Sequence, residues 1–372
     1  MVLLVGLSAI FLTLPGGWRP EVWLEAVVFY TPAGGADFLH HMIDHRTNVV
    51  TEGPASKLAR GLLCLSLLAS PLALGDVALY QAAVPLKSTT EADRAAAFGE
   101  ALKVAAVRAS GRRDAGDAAA IAAAAADPTR YVQQYSTTTD RMLKVGFDGR
   151  AVEQLLQQAG LPLWPSERPT TTVLLFVPAI AGGARAVTAA ERPPERLEVE
   201  RAAQVRGVPV TWPAEAVDAG AARTRAISAG VAGAVLVGTA RAGGYDWTFG
   251  HAGQSARGQG GPASGLDLAA DTLAARYAPG STRGLSTVSV RIGGLEGVRP
   301  YAALTTYFDG LSLVRSVSLR ELSGSTALFE LGVRGDLELL RRIFALDGRL
   351  TPAPRTEPAT ATQEAPDFVW QP

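Results

Sequence analysis

Reactive side chains are scarce along these 372 residues, and their positions decide which chemistries are open to the chain. The only cysteine, Cys64, and three of the four histidines, His40, His41 and His45, stand ahead of residue 65. Three histidines in six residues could bind a metal, but no second ligand cluster follows to complete a site. Beyond them stands His251, after Trp247-Thr248-Phe249-Gly250. With one of the scattered serines and aspartates it could complete a hydrolase triad, yet the G-x-S-x-G elbow that exposes such a serine occurs nowhere. A histidine at a strand end, bonded to backbone, is the expectation. Asp267 and Asp271 lie one helical turn apart, the spacing of a carboxylate pair for acid–base work. Asp267 also falls three residues after Ser264, where a capping box places its acidic member. Glycine pairs at Gly182-Gly183, Gly243-Gly244, Gly258 to Gly261 and Gly293-Gly294 are not followed by Lys-Ser/Thr and do not form G-x-G-x-x-G, so they read as turns and loops rather than phosphate cradles. No catalytic residue, metal ligand set or cofactor is expected.

Position along the chain sharpens this. Gly61 to Leu74 reads GLLCLSLLASPLAL behind Lys57 and Arg60, and ends on Ala73-Leu74-Gly75. Basic flank, apolar run and small residues in that order are the pattern of a cleaved export signal, with the cut before Asp76. Residues 1–75 are therefore read as a signal peptide with a start codon assigned too early. Translation from Met42 would leave a signal of more ordinary length. Gly61-Leu62-Leu63 ahead of Cys64 lacks the small residue a lipoprotein signal places there, so no lipid anchor is expected. Removing residues 1–75 takes away four basic and five acidic residues from totals of 35 and 35, leaving 31 and 30. A chain so balanced has no electrostatic case for nucleic acid. It would also hold neither thiol nor disulfide and must be stable by packing. No later apolar run reaches the roughly 20 residues that cross a bilayer.

The remaining chain divides into elements that would have to position any site. Residues 76–170 read as an α/β domain: a strand at 77–86, helices at 90–110 and 115–126, paired strands at 131–137 and 141–147, and a helix at 150–159. Residues 171–280 read as a second α/β domain. An apolar run at 173–180 suits a buried strand, and helices at 196–206, 221–229 and 264–277 alternate with strands at 208–211, 233–240, 245–251 and 254–259. Residues 285–350 give the order β-α-β-β-α-β of a ferredoxin-like fold. Residues 351–372, with five prolines, read as a disordered tail ending Asp367-Phe368-Val369-Trp370. Those apolar residues suggest a short extended peptide that docks along a sheet edge of this protein or on a partner.

The succession VALYQAAVPL, RAAAFGEALKVAAVRASG, DPTRYVQQY, LKVGFD, LLQQAGLPLW and SERP resembles an export-targeted family of Gram-negative bacteria, domain of unknown function 2066, over about Val77 to Tyr277. The resemblance implies location and architecture rather than chemistry. Its closest points are Arg108 to Gly111, Phe147-Asp148, Trp164 and Arg168-Pro169. Each has a structural role open to it: Gly111 stops a helix, Asp148 caps one, Trp164 fills a core and Arg168 partners a carboxylate or carbonyl. The reading that follows is an α/β (α+β) accessory or scaffold protein of the periplasm that binds another envelope component, with no catalysis expected. The alternative is a periplasmic enzyme or small-ligand binder with a pocket between the first two domains. Trp164, Arg168, Trp212 and Trp247 would line it, and His251, Phe368 and Trp370 are the other candidate contact residues.

Overall fold

Thr90 sets the first long helix. Its Oγ1 accepts the Asp93 amide at 3.3 Å, and the helix α1 (Glu91–Ser110) runs until Gly111 turns left-handed at φ +72°. In this computed structural model residues 78–179, 182–231, 233–278, 285–354 and 365–371 are described. The expected export signal with Cys64, the histidines at 40–45 and the expected cleavage point at Asp76 lie outside the described residues. Ahead of α1 lies β1 (Gln81–Pro85). After it come α2 (Ala119–Ala126), β2 (Val132–Thr137), β3 (Met142–Phe147) and α3 (Gly149–Gln158), which Asp148 caps by accepting the Ala151 amide at 3.0 Å. The sheet is antiparallel in the order β1-β3-β2. Alternation puts Ala82, Val84, Leu143 and Val145 on the face that α1 covers, with Phe98, Leu102 and a row of alanines opposite. This unit has a hydrophobic core of its own.

The second unit is built on β4 (Thr171–Pro178), whose run of apolar residues is buried on both faces. Its neighbours along the chain are β5 (Ala184–Ala186), α4 (Pro194–Arg206), β6 (Val210–Thr211) and α5 (Ala219–Ile227). A meander of β7 (Ala234–Arg241), β8 (Gly244–His251) and β9 (Gln254–Gly260) follows, then α6 (Pro262–Tyr277). The order is β5-β4-β7-β8-β9, with β6 beside the first half of β4; β4 and β7 are parallel and the meander antiparallel. Val173, Leu175, Trp247 and Phe249 pack with α4 and α6, while Leu174, Phe176 and Val237 face α5 on the other side. The capping box expected at Ser264 and Asp267 does not form. α6 begins two residues earlier, at Pro262 after Gly261, and the Asp267 carboxylate turns to an arginine described below.

The third unit contains β10 (Leu285–Gly293), α7 (Val298–Gly310), β11 (Val314–Ser323), β12 (Thr326–Arg334), α8 (Leu337–Asp347), β13 (Leu350–Pro352) and β14 (Phe368–Trp370). Element order follows the ferredoxin-like expectation up to β13, but the sheet runs β11-β12-β10-β14-β13. The segment expected as a disordered tail therefore supplies one strand and part of another. β14 lies parallel to β10 and separates it from β13. Composition misses this because two aromatic side chains suffice to anchor so short a strand: Phe368 is 2% and Trp370 4% exposed. β11 is an edge strand with pairing irregularities at Arg315 and Arg320. Among the described residues there are eight helices and three mostly antiparallel sheets, and no helix is long and apolar enough to cross a membrane. The second and third units share one continuous core.

Candidate functional site

A group of ionisable side chains lies where the first unit meets the second. α1 and α4 both bring their C-terminal ends there, with carbonyls left without helical partners and the negative pole of each helix dipole. Arg168, in the loop before β4, sits between these ends fully buried. Its Nε donates to Pro165 O at 2.9 Å. Nη1 donates to Gly207 O at 2.7 Å and Arg206 O at 3.2 Å, and Nη2 to Arg108 O at 2.8 Å and Trp164 O at 3.2 Å. All five N–H groups are used, and the guanidinium stacks 3.7 Å from the Trp164 ring. Burial, and after it the charge of Arg108, presses its proton affinity well down. Five donated bonds to carbonyls, three of them at the ends of α1 and α4, hold the proton in place.

Two further arginines complete the group. Arg108, in the last turn of α1, donates to Ala78 O at 3.2 Å and to the carbonyls of Gln81 and Gln204, so it joins α1 to the start of its own unit and to α4. Arg206, 2% exposed, reaches the candidate carboxylate pair. Its Nη1 donates to Asp267 Oδ1 and its Nη2 to Asp271 Oδ1, both at 2.5 Å, and Nη2 also reaches Gly111 O at 2.9 Å. Arg113 pairs with the same carboxylates from the solvent side, at 2.5 Å to Asp271 and 3.5 Å to Asp267. Gly207, the left-handed cap of α4 at φ +65°, makes this crowding possible. A Cβ there would lie 2.5 Å from both Arg108 Cγ and Arg168 Nη1. Asp267 and Asp271 thus share one face as their spacing requires, but each is held by two guanidinium groups and neither stands free to move protons.

The third unit is tied in by the same chemistry. Glu153 on α3, 8% exposed, accepts Tyr80 Oη at 2.6 Å and Nη2 of both Arg315 and Arg334 at 2.8 Å. Burial and that carboxylate push the Tyr80 phenol well above its ordinary range. Glu167 accepts the Ser312 amide at 2.7 Å and its hydroxyl at 2.6 Å, and Arg342 donates to Arg276 O at 3.0 Å.

The other candidate residues are spread through the molecule. His251 is buried, with Nδ1 at 2.9 Å from Gly233 O and Nε2 at 2.7 Å from Tyr277 Oη. Nδ1–H donates to the carbonyl and Nε2 accepts the phenol, which leaves no ring nitrogen for a serine. Trp247 fills the second core, its Nε1 donating to Gly261 O at 3.2 Å. Trp164 is buried beneath Arg168, while half-buried Trp212 stacks under Arg196 at 4.7 Å. These tryptophans and Arg168 do not converge on a pocket between the first two units. A shallow cleft of about 400 Å³ does open there, lined by Gly111, Arg113, Pro162, Asp271, Ala274 and Ala278. Phe368 and Trp370 lie in the third core. Among the described residues no three of His, Cys, Asp and Glu come together as a metal site would need. Sequence reasoning missed Arg206, Arg113 and Glu153, whose charged partners lie 61 to 181 residues away in the chain and leave no local signal.

Comparison with curated proteins and with solved structures finds no match. One family model matches, described as Domain of unknown function (DUF8605), over residues 75–165, which is the first unit. An uncharacterised domain family is what is found there, and it is not the expected domain of unknown function 2066.

Proposed function

We propose that this chain is an exported envelope protein, working in the periplasm as an accessory or scaffold that binds another envelope component through its outer surfaces. The observation that carries this reading is the use made of its charged groups. The side chains best suited to chemistry, Asp267, Asp271, Glu153, Arg168 and Arg206, hold three units together as one body. His251 is likewise held between a carbonyl and a phenol. A body joined in this way presents surfaces in a constant arrangement, which is what a binding protein requires. Export is supported by the apolar run behind Lys57 and Arg60, and by the family match beginning at residue 75, beside the expected cut at Asp76. The resemblance of the motifs along 77–277 to the export-targeted domain of unknown function 2066 belongs to the same reading.

The test has two parts. Protein recovered from the periplasm of a Gram-negative host should begin at or near Asp76 by N-terminal sequencing, and periplasmic crosslinking should capture an envelope protein reproducibly. A first residue upstream of Lys57, or retention in the cytoplasm, would overturn export. Crosslinked material containing this chain alone would overturn the binding role.

A further inference from the structure

The seat of β14 is built to receive a strand, and the strand in it is held by few elements. In the sheet order, β13 meets the rest of the sheet through β14 alone. Without residues 365–371, β10 would have a bare edge and β13 no partner. A trough beside Tyr307 and Phe344 would open between them. Recognition in that trough is specific. The Asp367 amide donates to Arg291 O at 2.8 Å, while its carboxylate accepts the Arg291 amide at 2.9 Å. Phe368 meets Phe344 edge to face at 5.3 Å, and Trp370 packs on Tyr307 at 5.5 Å. Gly294 makes room: at φ +83°, a Cβ there would come within 3.2 Å of Val369 Cγ1 and 3.3 Å of Trp370 O. The remaining backbone bonds run from Ala353 to Asp367 O at 3.0 Å and from Gln371 to Arg349 O at 2.7 Å.

We propose that the trough between β10 and β13 is a peptide-binding site for an extended acidic–aromatic–x–aromatic segment, and that a second copy of this chain fills it with its own Asp367–Trp370. Every backbone partner of β14 belongs to the trough, at Arg291, Ile292, Gly293, and 349–353. Any copy carries both the segment and the seat. Residues 353–366 link β13 to β14, although Pro352 and Phe368 are paired neighbours. Fully extended, a link of that length reaches about 45 Å. The contacts made by a neighbour's strand would be identical to those made in place, so the two arrangements differ chiefly in the entropy of association. The tether raises the local concentration of the chain's own strand to the millimolar range, so exchange between copies should appear at high protein concentration or once the tether is cut. This inference is independent of the proposed location and partner.

The experiment uses the whole chain with a protease site placed within 355–364. After cleavage, a fluorescent peptide spanning residues 365–371 should replace the resident strand and raise the label's anisotropy. The same peptide carrying Trp370→Ala should fail to compete. In a second arm, two uncut copies bearing different affinity tags are concentrated together and recovered through one tag. Mixed pairs should form, and should vanish when both copies stop after Pro354. A cleaved chain that keeps its strand and takes up no peptide overturns the binding site. Peptide uptake without mixed pairs overturns exchange between copies, as do mixed pairs that persist after the stop at Pro354.

Discussion

At the scale of single residues, burial has turned potentially reactive groups into structural ones. Among the described residues no carboxylate pairs with Arg168, and its charge is balanced by five carbonyls, three of them at the ends of α1 and α4. Replacing it by methionine would leave those acceptors buried and unmet, at a cost of roughly 3 to 5 kcal/mol. Arg168→Lys should recover only part of this, since an ammonium offers three donors where the guanidinium fork offers five. Urea titrations of the two variants check this, and equal stability of Arg168→Met and the unaltered chain would show that the carbonyls find other donors. His251 supplies a pH test. Burial, first, and the charge of Arg276 lower its proton affinity, against the opposing effect of the Gly233 carbonyl. The unfolded chain therefore protonates first, near pH 6.5, and the folded one only at lower pH. Stability from this residue is fully present above that pH and is lost as pH falls through the folded value. The unfolding free energy should decline from pH 7 to pH 5 less steeply in His251→Gln than in the unaltered chain. Parallel slopes would remove the histidine from the account.

At the scale of elements, the two sides of the third sheet behave differently from one another. β11 is a ten-residue edge, yet Arg315 and Arg320 interrupt its pairing and put a charge at each irregularity. Bulges and charges are the usual protection of an edge against adding strands. β14 instead completes the opposite side of the sheet. Ending the chain after Pro354 removes the burial of Phe368 and Trp370, each worth about 3 to 5 kcal/mol in a core. The melting temperature should fall by roughly 10 °C or more. A shift of a degree or less would mean that β14 adds nothing to the sheet. For the same reason, residues 171–350 expressed alone should leave the third unit unfolded by circular dichroism, whereas 171–371 should fold throughout, because the second and third units share a core. Folding of the third unit in the shorter piece would show that β10, β11 and β12 with their two helices need no further strand.

For the whole molecule, the arginine groups decide how many folding units there are. The first unit has its own core, and what joins it to the second is mostly polar: Arg108, Arg168 and Arg206 against carbonyls and two aspartates. Arg206→Ala leaves Asp267 and Asp271 together with only Arg113 to balance them. Calorimetry should show one transition for the unaltered chain and two for this variant, the first unit melting separately while the second and third melt together on their shared core. One sharp transition in both proteins would place the coupling elsewhere.

Much of this structure could be read from local pattern alone. Thr90, Gly111 and Asp148 start and stop helices through bonds within a few residues, and alternation identifies the strands of the first and third units, because such signals depend only on chain neighbours. The double burial of β4 was visible in its continuous apolar run. Tertiary structure alone decided where the charges went. Asp267 stands at a capping position by spacing, but Arg206, brought there by the end of α4, draws it into an ion pair instead. The segment containing Phe368 and Trp370 has the composition of a tail, and only the space beside β10, lined by Phe344 and Tyr307 and left open by Gly294, makes it a strand. Both outcomes depend on partners far away in sequence, and contacts of that kind leave no periodicity in the residues that make them.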